Sequence, residues 1–187
     1  MGGVLVAVIV IVLLIVVGLF VVAQFNRLRR LDVLAQGAWA GIDTLLAKRA
    51  DLIPNLVETV KGSADFERGT MEDVTQARAK AAGATTVAQT AAADGELTQA
   101  LGRLFAVAEA YPQLTATANF RDLQGQLGQV EGELQFARQY YNDSVVNLNT
   151  ALRTIPSMWF AGMASVHERE MYAEPDAGRR AAPTVDF

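Results

Sequence analysis

An unbroken apolar run opens the chain, and the segments after it repeat apolar residues every three or four positions. The run extends from Val4 to Ala23 and holds twenty residues without a polar side chain. As a helix it spans about 30 Å, the thickness of the hydrocarbon core of a bilayer. Helix is also the conformation that satisfies backbone hydrogen bonds in lipid. The pattern predicts a transmembrane anchor formed by residues 1–26.

The flanks of this run bear on cleavage and on orientation. A signal peptide usually begins with basic residues and has a shorter apolar core, and this segment has neither feature, although Val21 and Ala23 fit a cleavage pattern. Arg27, Arg29 and Arg30 follow the run, whereas the three residues before it carry no charged side chain. By the positive-inside rule we expect these membrane-proximal arginines on the cytoplasmic side and the N-terminus outside the cell.

The apolar periodicity continues from the anchor into the next part of the chain, and no Gly or Pro lies between Gly18 and Gly37. The anchor is therefore predicted to continue as one helix into a bundle domain of residues 27–156. Pro54 is expected to kink this helix or to begin a new one, because proline lacks the backbone N–H and clashes with the preceding turn. Gly62 is the expected end. The apolar stripe comprises Leu28, Leu31, Ala35, Ala38, Ile42, Leu45, Leu52, Leu56 and Val60.

Two shorter helices are predicted in the middle of the chain. The second helix is expected over Asp65–Ala82, and the weakly patterned stretch Gly83–Ala93 is expected to be a loop. Asp94 is a candidate N-cap of a third helix that extends to about Tyr111. Pro112 is expected to end that helix.

The fourth helix has the most regular spacing in the chain, with one discontinuity near Tyr141. Such a seam suits a coiled-coil oligomer or the inside of an antiparallel bundle, and the other amphipathic helices favour the bundle. The predicted fold is all-α, an N-terminal transmembrane helix that continues into an elongated antiparallel four-helix bundle. The seam comprises Phe120, Leu123, Leu127, Val130, Leu134, Ala137, Tyr141, Val145, Leu148, Leu152 and Ile155.

Residues 157–187 are predicted to form an extended C-terminal tail. If the last helix returns toward the membrane, Trp159 and Phe160 lie near the lipid surface. If the two middle helices run end to end as one layer, the tail lies far from the bilayer. The terminal residues Pro183, Val185 and Phe187 are candidate contacts, either with the chain's own bundle or with a partner that captures an extended C-terminus.

Composition excludes several classes of function. The formal net charge is −4, and all 16 basic and 20 acidic residues follow the apolar run. Nucleic acid is not expected as a partner, because its binding needs a basic face. The chain has no cysteine and a single histidine, His167, so disulfides, thiolate sites and a multi-histidine metal centre are excluded. Neither a cofactor nor a metal is expected.

One set of polar residues is the candidate for chemistry: Asp51 and Asn55 beside Pro54, and Tyr140, Tyr141 and Asn142 beside the seam. Catalysis by paired carboxylates needs a cleft and a third group, whereas ion pairing on a solvated face is the commoner role of helix carboxylates. No catalytic residue is assigned, and the chain is not expected to be an enzyme. For the tyrosine patch, hydrogen bonds that fix bundle register and a small-ligand site both remain open.

Five segments resemble, in order, the LemA family of bacterial membrane proteins. They are Arg49–Gly62, Ala106–Pro112, Asn119–Phe120, Ala137–Val145 and Pro183–Phe187. The resemblance implies a single N-terminal membrane helix and a cytoplasmic antiparallel helical bundle, and it implies no established activity. Members of the family are linked to magnetosome membranes and to presented peptide antigens. This chain departs from the family at Met158–Phe160 and Val166–Glu168, where relatives more often carry Lys and Pro.

Together these features predict a single-pass protein of the bacterial cell membrane that acts as a self-associating scaffold or binds partners at the cytoplasmic face. The anchor confines the bundle to two dimensions and raises its effective concentration, so weak lateral contacts suffice for assembly. We therefore expect a homo-oligomer, with membrane lipid and a tail-bound protein as further partners. The alternative is a small-molecule or lipid sensor that uses the patch around Tyr140 and Asn142.

Overall fold

The computed structural model describes residues 1–61 and 68–173, and within these ranges every regular element is helical. The prediction of an all-α chain with a long N-terminal apolar helix is confirmed. The four-helix arrangement and the boundaries at residues 26 and 156 stay predictions. The elements are α1 (Gly2–Lys61), α2 (Arg68–Gly83), α3 (Val87–Ala108), α4 (Pro112–Thr115), α5 (Ala118–Arg153), a 3₁₀ turn (Ser157–Phe160) and α6 (Ala161–Ala164).

Helix α1 is a single helix of 60 residues that passes through Pro54 without starting again. Proline has no N–H for the carbonyl four residues earlier, which here belongs to Ala50. Arg78 of α2 supplies the missing donor, because its Nε donates to the Ala50 carbonyl oxygen at 2.8 Å. A side chain from a neighbouring helix thus replaces the hydrogen bond that proline removes. The expected end at Gly62 lies just outside the described residues.

Helix α3 begins earlier than the apolar pattern predicts. The N-cap is Thr86, whose hydroxyl accepts from the Gln89 backbone N–H at 3.2 Å. The prediction of a loop up to Ala93 with Asp94 as cap was wrong, because this alanine-rich stretch has high helix propensity although it lacks a clear stripe. The expected end of this helix at about Tyr111, with Pro112 terminating it, was also wrong. Helix α3 ends at Ala108, and Pro112 starts α4, where its missing N–H has no cost.

The chain divides into two compact units, each built from segments distant in sequence. The first, here the anchor unit, contains residues 1–39 and 140–169. The second, here the core unit, contains the described residues of the ranges 40–139 and 170–173. Helices α1 and α5 contribute residues to both.

The core unit is held by apolar side chains from α1 to α5. Helix α2 packs against α3, and the ring of Phe105 meets that of Phe120 edge to face, with centroids 5.9 Å apart. The predicted stripe and seam both face inward here. Their core members include Ile53, Leu56 and Val60 of α1, Val74 of α2, Leu97, Leu101 and Leu104 of α3, and Phe120, Leu123 and Leu127 of α5.

In the anchor unit, α1 and α5 run antiparallel. Trp39 packs on Tyr141, with ring centroids 5.4 Å apart, and Gln24 is joined to Ser157, so residue numbers rise along one segment as they fall along the other. Leu28, Ala35 and Ala38 of α1 are buried in this unit, as are Tyr141, Val145 and Leu148 of α5. The apolar run before them is different, since none of its most hydrophobic 18-residue stretch is buried and the mean hydropathy of that stretch is 3.7.

Candidate functional site

Charged side chains occupy core positions of three helices in the core unit. Arg49 fills the place between Leu45 and Leu52 where the apolar stripe of α1 is interrupted, and only 3% of it is exposed. Asp94 lies three residues before Leu97, on the same buried face of α3, and only 2% of it is exposed. Arg138 of α5 lies beside the seam, four residues after Leu134. With Glu131 and Tyr172 these residues form what we call the buried charged cluster.

Asp94 is the centre of this cluster. Its Oδ1 accepts from Arg49 Nη1 at 2.7 Å, and its Oδ2 accepts from Arg138 Nη2 and from the Tyr172 hydroxyl, the latter at 2.6 Å. Glu131 provides a second carboxylate, because Arg138 Nη1 donates to its Oε1 at 3.2 Å and Arg49 Nη1 lies 3.0 Å from its Oε2. The Arg138 guanidinium also stacks over the Tyr172 ring, 5.4 Å from the centroid. Contacts of Asp94 thus join α1, α3, α5 and the tail.

Burial and charge act against each other in this cluster. Burial disfavours the charged form of Arg138, but attraction to Asp94, Tyr172 and Glu131 outweighs it and raises the pKa of Arg138. Burial also raises the pKa of Tyr172, and the nearby Asp94 carboxylate adds to the effect because a second negative charge there would be repelled. Both groups therefore keep the protonated form that donates hydrogen bonds to the carboxylates.

The cluster is suited to holding segments together and poorly suited to catalysis. Both carboxylates are engaged by guanidinium groups, so a metal cation would have to displace two arginines. A general acid or base needs a titratable proton within reach of a substrate, whereas Asp94 is enclosed by protein donors. Arg49 Nε and Arg138 Nε are buried without an acceptor among the described residues. Such an incompletely paired network costs stability, because a buried donor without an acceptor has lost its hydrogen bonds to water.

The predicted polar residues fall in separate units. Asp51 and Asn55 are exposed on α1 in the core unit, whereas Tyr140, Tyr141 and Asn142 belong to the anchor unit. There, Tyr140 is exposed, Tyr141 is buried against Trp39, and Asn142 is half-buried. The role of these five residues in a ligand site stays a prediction.

The predicted membrane-proximal residues come from two segments of the anchor unit. Arg27, Arg29 and Arg30 are exposed on α1, directly after the apolar run. Trp159 is exposed and Phe160 is half-buried in the 3₁₀ turn. These aromatic residues belong to the anchor unit, as the arginines do.

The tail lies on its own chain as far as Tyr172. In the anchor unit, Asn149 binds both backbone polar groups of Arg169, at 2.9 Å and 3.0 Å, and the Arg169 side chain pairs with Asp32. Arg153 donates two hydrogen bonds to Glu168, which lowers the pKa of that carboxyl. The candidate contacts Pro183, Val185 and Phe187 lie outside the described residues.

Sequence reasoning missed Arg49, Asp94, Arg138 and Tyr172 as a group. The available signal was a charged residue at an apolar position of a regular stripe, since such a residue must find a buried partner. Arg49 shows this signal clearly. Asp94 was misassigned because its helix was predicted to start too late.

The model of the LemA family matches residues 38–187, most of the chain, and this range contains the whole buried charged cluster. The match confirms the resemblance carried by the five sequence segments. No curated protein matches the chain.

Proposed function

Because the chain belongs to the LemA family, we propose that it is a single-pass membrane protein whose helical bundle acts as a scaffold or partner-binding module. In this proposal the bundle lies at the cytoplasmic face of the bacterial membrane, and the protein has no enzymatic activity. It assembles with further copies of itself and with membrane lipid.

The observation that carries the proposal is the apolar part of α1. Its side chains are exposed along a stretch long enough to cross a bilayer. Exposing so many Val, Leu and Ile side chains to water costs free energy in a free monomer, whereas insertion into lipid removes that cost. The same helix then supplies core residues such as Leu28 and Ile42. The bundle is thus attached directly to the anchor.

The contacts of the buried charged groups support a scaffold role. The most deeply buried ones, Arg49 and Asp94, bind other parts of the same chain. Their arrangement fixes helix positions, which a binding module needs, and gives no open site for a reaction. Tethering to one plane raises the local concentration of copies, so contacts too weak for assembly in solution become sufficient.

The test of assembly is native mass spectrometry of the full chain released from lipid nanodiscs and from mild detergent. A defined oligomer in both media supports the scaffold. Strictly monomeric protein at high concentration in both media, with no partner captured by crosslinking in membranes, contradicts it.

The absence of native cysteine allows a clean test of orientation. Gly3→Cys and Ala82→Cys place one exposed thiol at either side of the proposed span. A membrane-impermeant maleimide added to intact cells should label the first variant and leave the second unlabelled until the cells are opened. The reverse pattern contradicts the cytoplasmic location.

A further inference from the structure

We propose that the segment from Ile155 to Met163, here called the foot, inserts apolar side chains into the lipid interface beside α1. The foot would be a second membrane contact that braces the bundle where α1 leaves the bilayer. This inference rests on the proposed membrane anchoring and adds a surface, with lipid as its partner. It concerns residues of the anchor unit alone.

Two contacts hold the foot against the end of the apolar run. The Phe160 ring meets the Phe20 ring edge to face, with centroids 6.3 Å apart. The Ser157 hydroxyl, which is buried, donates to Gln24 Oε1 at 3.0 Å. Gln24 is the first polar residue after the run. The foot is therefore attached at the level where lipid tails give way to headgroups.

The depth of the foot in the bilayer follows from the geometry of α1. Phe20 lies three residues before Ala23, the last residue of the run, which is about 4.5 Å along the helix axis. A ring packed on Phe20 is therefore within reach of the outer part of the acyl chains. Its neighbour Trp159 has an amphipathic indole, the kind of side chain that is enriched at membrane interfaces.

The foot also exposes apolar side chains that nothing in the described chain covers. Ile155 and Trp159 are each 67% exposed, Met163 is 63% exposed and Met158 is 44% exposed. Four large apolar side chains within nine residues form a patch of the kind that marks an interaction surface. Because the patch adjoins the apolar run, one bilayer can cover both.

The charges nearby favour a lipid surface over a protein partner. Arg27, Arg29 and Arg30 are exposed within two turns after Gln24. Arginines at this level attract anionic headgroups. Arg29 also lies over the Phe25 ring, 6.0 Å from its centroid, so apolar and cationic groups alternate there.

The test measures the depth of Trp159 in the full chain reconstituted into liposomes. Trp39→Phe leaves Trp159 as the single tryptophan, since the chain has two. Lipids brominated at shallow acyl carbons should quench its emission several-fold, and lipids brominated near the bilayer centre should quench it less. The matched control is Trp159→Phe, which retains Trp39. That residue lies about 28 Å beyond Phe20 along α1 and should keep nearly all its emission with either lipid.

A second measurement guards against disturbance of the Trp39 site. A spin label on Met163→Cys should become accessible to oxygen dissolved in lipid and shielded from an aqueous nickel chelate. The same label on Asn147→Cys, exposed on α5, should remain accessible to the chelate.

The outcomes separate this inference from the anchoring on which it rests. If the protein floats with liposomes but Trp159 is quenched by aqueous iodide and not by brominated lipid, the foot inference is overturned and anchoring stands. A third outcome is that Trp159 is shielded from iodide only at high protein density and is not quenched by brominated lipid. This outcome assigns the patch to contact with a second copy of the chain and also overturns the foot inference. If the protein fails to float with liposomes, anchoring itself is wrong.

Discussion

At the residue scale, Asp94 shows how a buried charge depends on its partners. Three donors, from Arg49, Arg138 and Tyr172, surround its carboxylate in a place nearly closed to water. Removing a charge from water costs several kcal/mol, and attraction between opposite charges offsets that cost only while the geometry is kept. Loss of one partner should therefore cost more than the intact cluster contributes.

Asp94→Asn should destabilise the chain by about 3–5 kcal/mol, because it leaves two buried guanidinium groups without their main counter-charge. For a chain of this size the midpoint of thermal unfolding should fall by about 6–20 °C, measured by circular dichroism of the full chain in mild detergent. The control is Asp73→Asn, which breaks an exposed ion pair with Arg103 and should change stability by less than about 1 kcal/mol. Equal effects of the two substitutions would refute a special role for the cluster.

The Tyr172 hydroxyl makes the stability of the folded chain depend on pH in the alkaline range. Burial and the Asp94 carboxylate raise its pKa above the ordinary value of about 10. The contribution of this hydroxyl to stability is therefore complete below pH about 10 and is lost as the pH rises further. The reason is that Tyr172 ionises at a lower pH in the unfolded chain than in the folded chain. Tyr172→Phe should lower stability by about 1–2 kcal/mol at neutral pH, and the difference from wild type should shrink above pH about 10.

Tyrosinate absorbance checks this directly. Near pH 10, folded wild type and Tyr172→Phe should show equal absorbance, whereas in denaturant the wild type should show about half a tyrosinate more, because a free tyrosine is half ionised at that pH. A folded wild type that already exceeds the variant by about half a tyrosinate near pH 10 would contradict the raised pKa.

Sequence alone could locate Arg49 as unusual but could not name its partners. Its position between Leu45 and Leu52 follows from the spacing of the stripe. Asp94 lies 45 residues away, on a helix whose start the sequence did not reveal. The alanine-rich stretch before Asp94 does not show which face of that helix is buried, and Tyr172 lies in a segment without periodicity. The cluster therefore required the tertiary structure.

At the scale of the element, α1 and α2 depend on each other through Pro54. The Ala50 carbonyl has lost its helical donor and accepts from Arg78. Arg78→Met should therefore destabilise the wild-type chain by about 1–3 kcal/mol, because a partly buried acceptor is left unpaired. In a Pro54→Ala background the cost should fall, since the backbone N–H that this substitution introduces can restore the helical bond to the Ala50 carbonyl.

The measurement is a double-mutant cycle from thermal or denaturant unfolding in detergent. Arg103→Met is the matched control, because Arg103 pairs with Asp73 on the surface and has no relation to Pro54. Its effect should be the same in both backgrounds. An Arg78 effect that is also equal in both would show that Arg78 acts independently of proline.

The long elements were predictable because periodicity and length carry strong signals. The seam of α5 and the stripe of α1 both appear where spacing placed them, with Val130, Leu134 and Val145 fully buried. The ends of elements were less predictable. Pro54 does not end α1, because Arg78 replaces a bond that local sequence rules count as lost. Ile155, the last member of the predicted seam, is exposed, since α5 ends at Arg153.

At the scale of the whole molecule, the apolar run is long and apolar enough to cross a membrane. On an insertion scale that gives each Leu, Ile, Val or Phe about −0.3 to −0.6 kcal/mol, the run favours the membrane by about 5–10 kcal/mol. One central Asp costs about 2.5–3.5 kcal/mol, so Leu13→Asp alone should leave the protein in the membrane. Three such changes, Val10→Asp, Leu13→Asp and Val17→Asp, should cancel the gain.

Flotation of cell membranes after carbonate extraction measures this difference. The single Asp variant should float with the membranes, and the triple variant should appear in the soluble or aggregated fraction. Alanine at the same three positions should float, which separates charge from loss of side-chain volume. A triple Asp variant that still floats would show that the foot or a partner, and not the run, holds the protein at the membrane.

Because α1 continues unbroken past Gln24, the side chains of the apolar run keep a fixed angle around the helix axis relative to the side chains that follow. A helix turns by about 100° for each residue, so one residue inserted after Phe25 would rotate Phe20 and Gln24 away from Phe160 and Ser157. Seven inserted residues would nearly restore the angle, with an axial shift of about 10 Å. A chimera carrying a foreign membrane span would therefore need matched rotation as well as matched length and hydrophobicity.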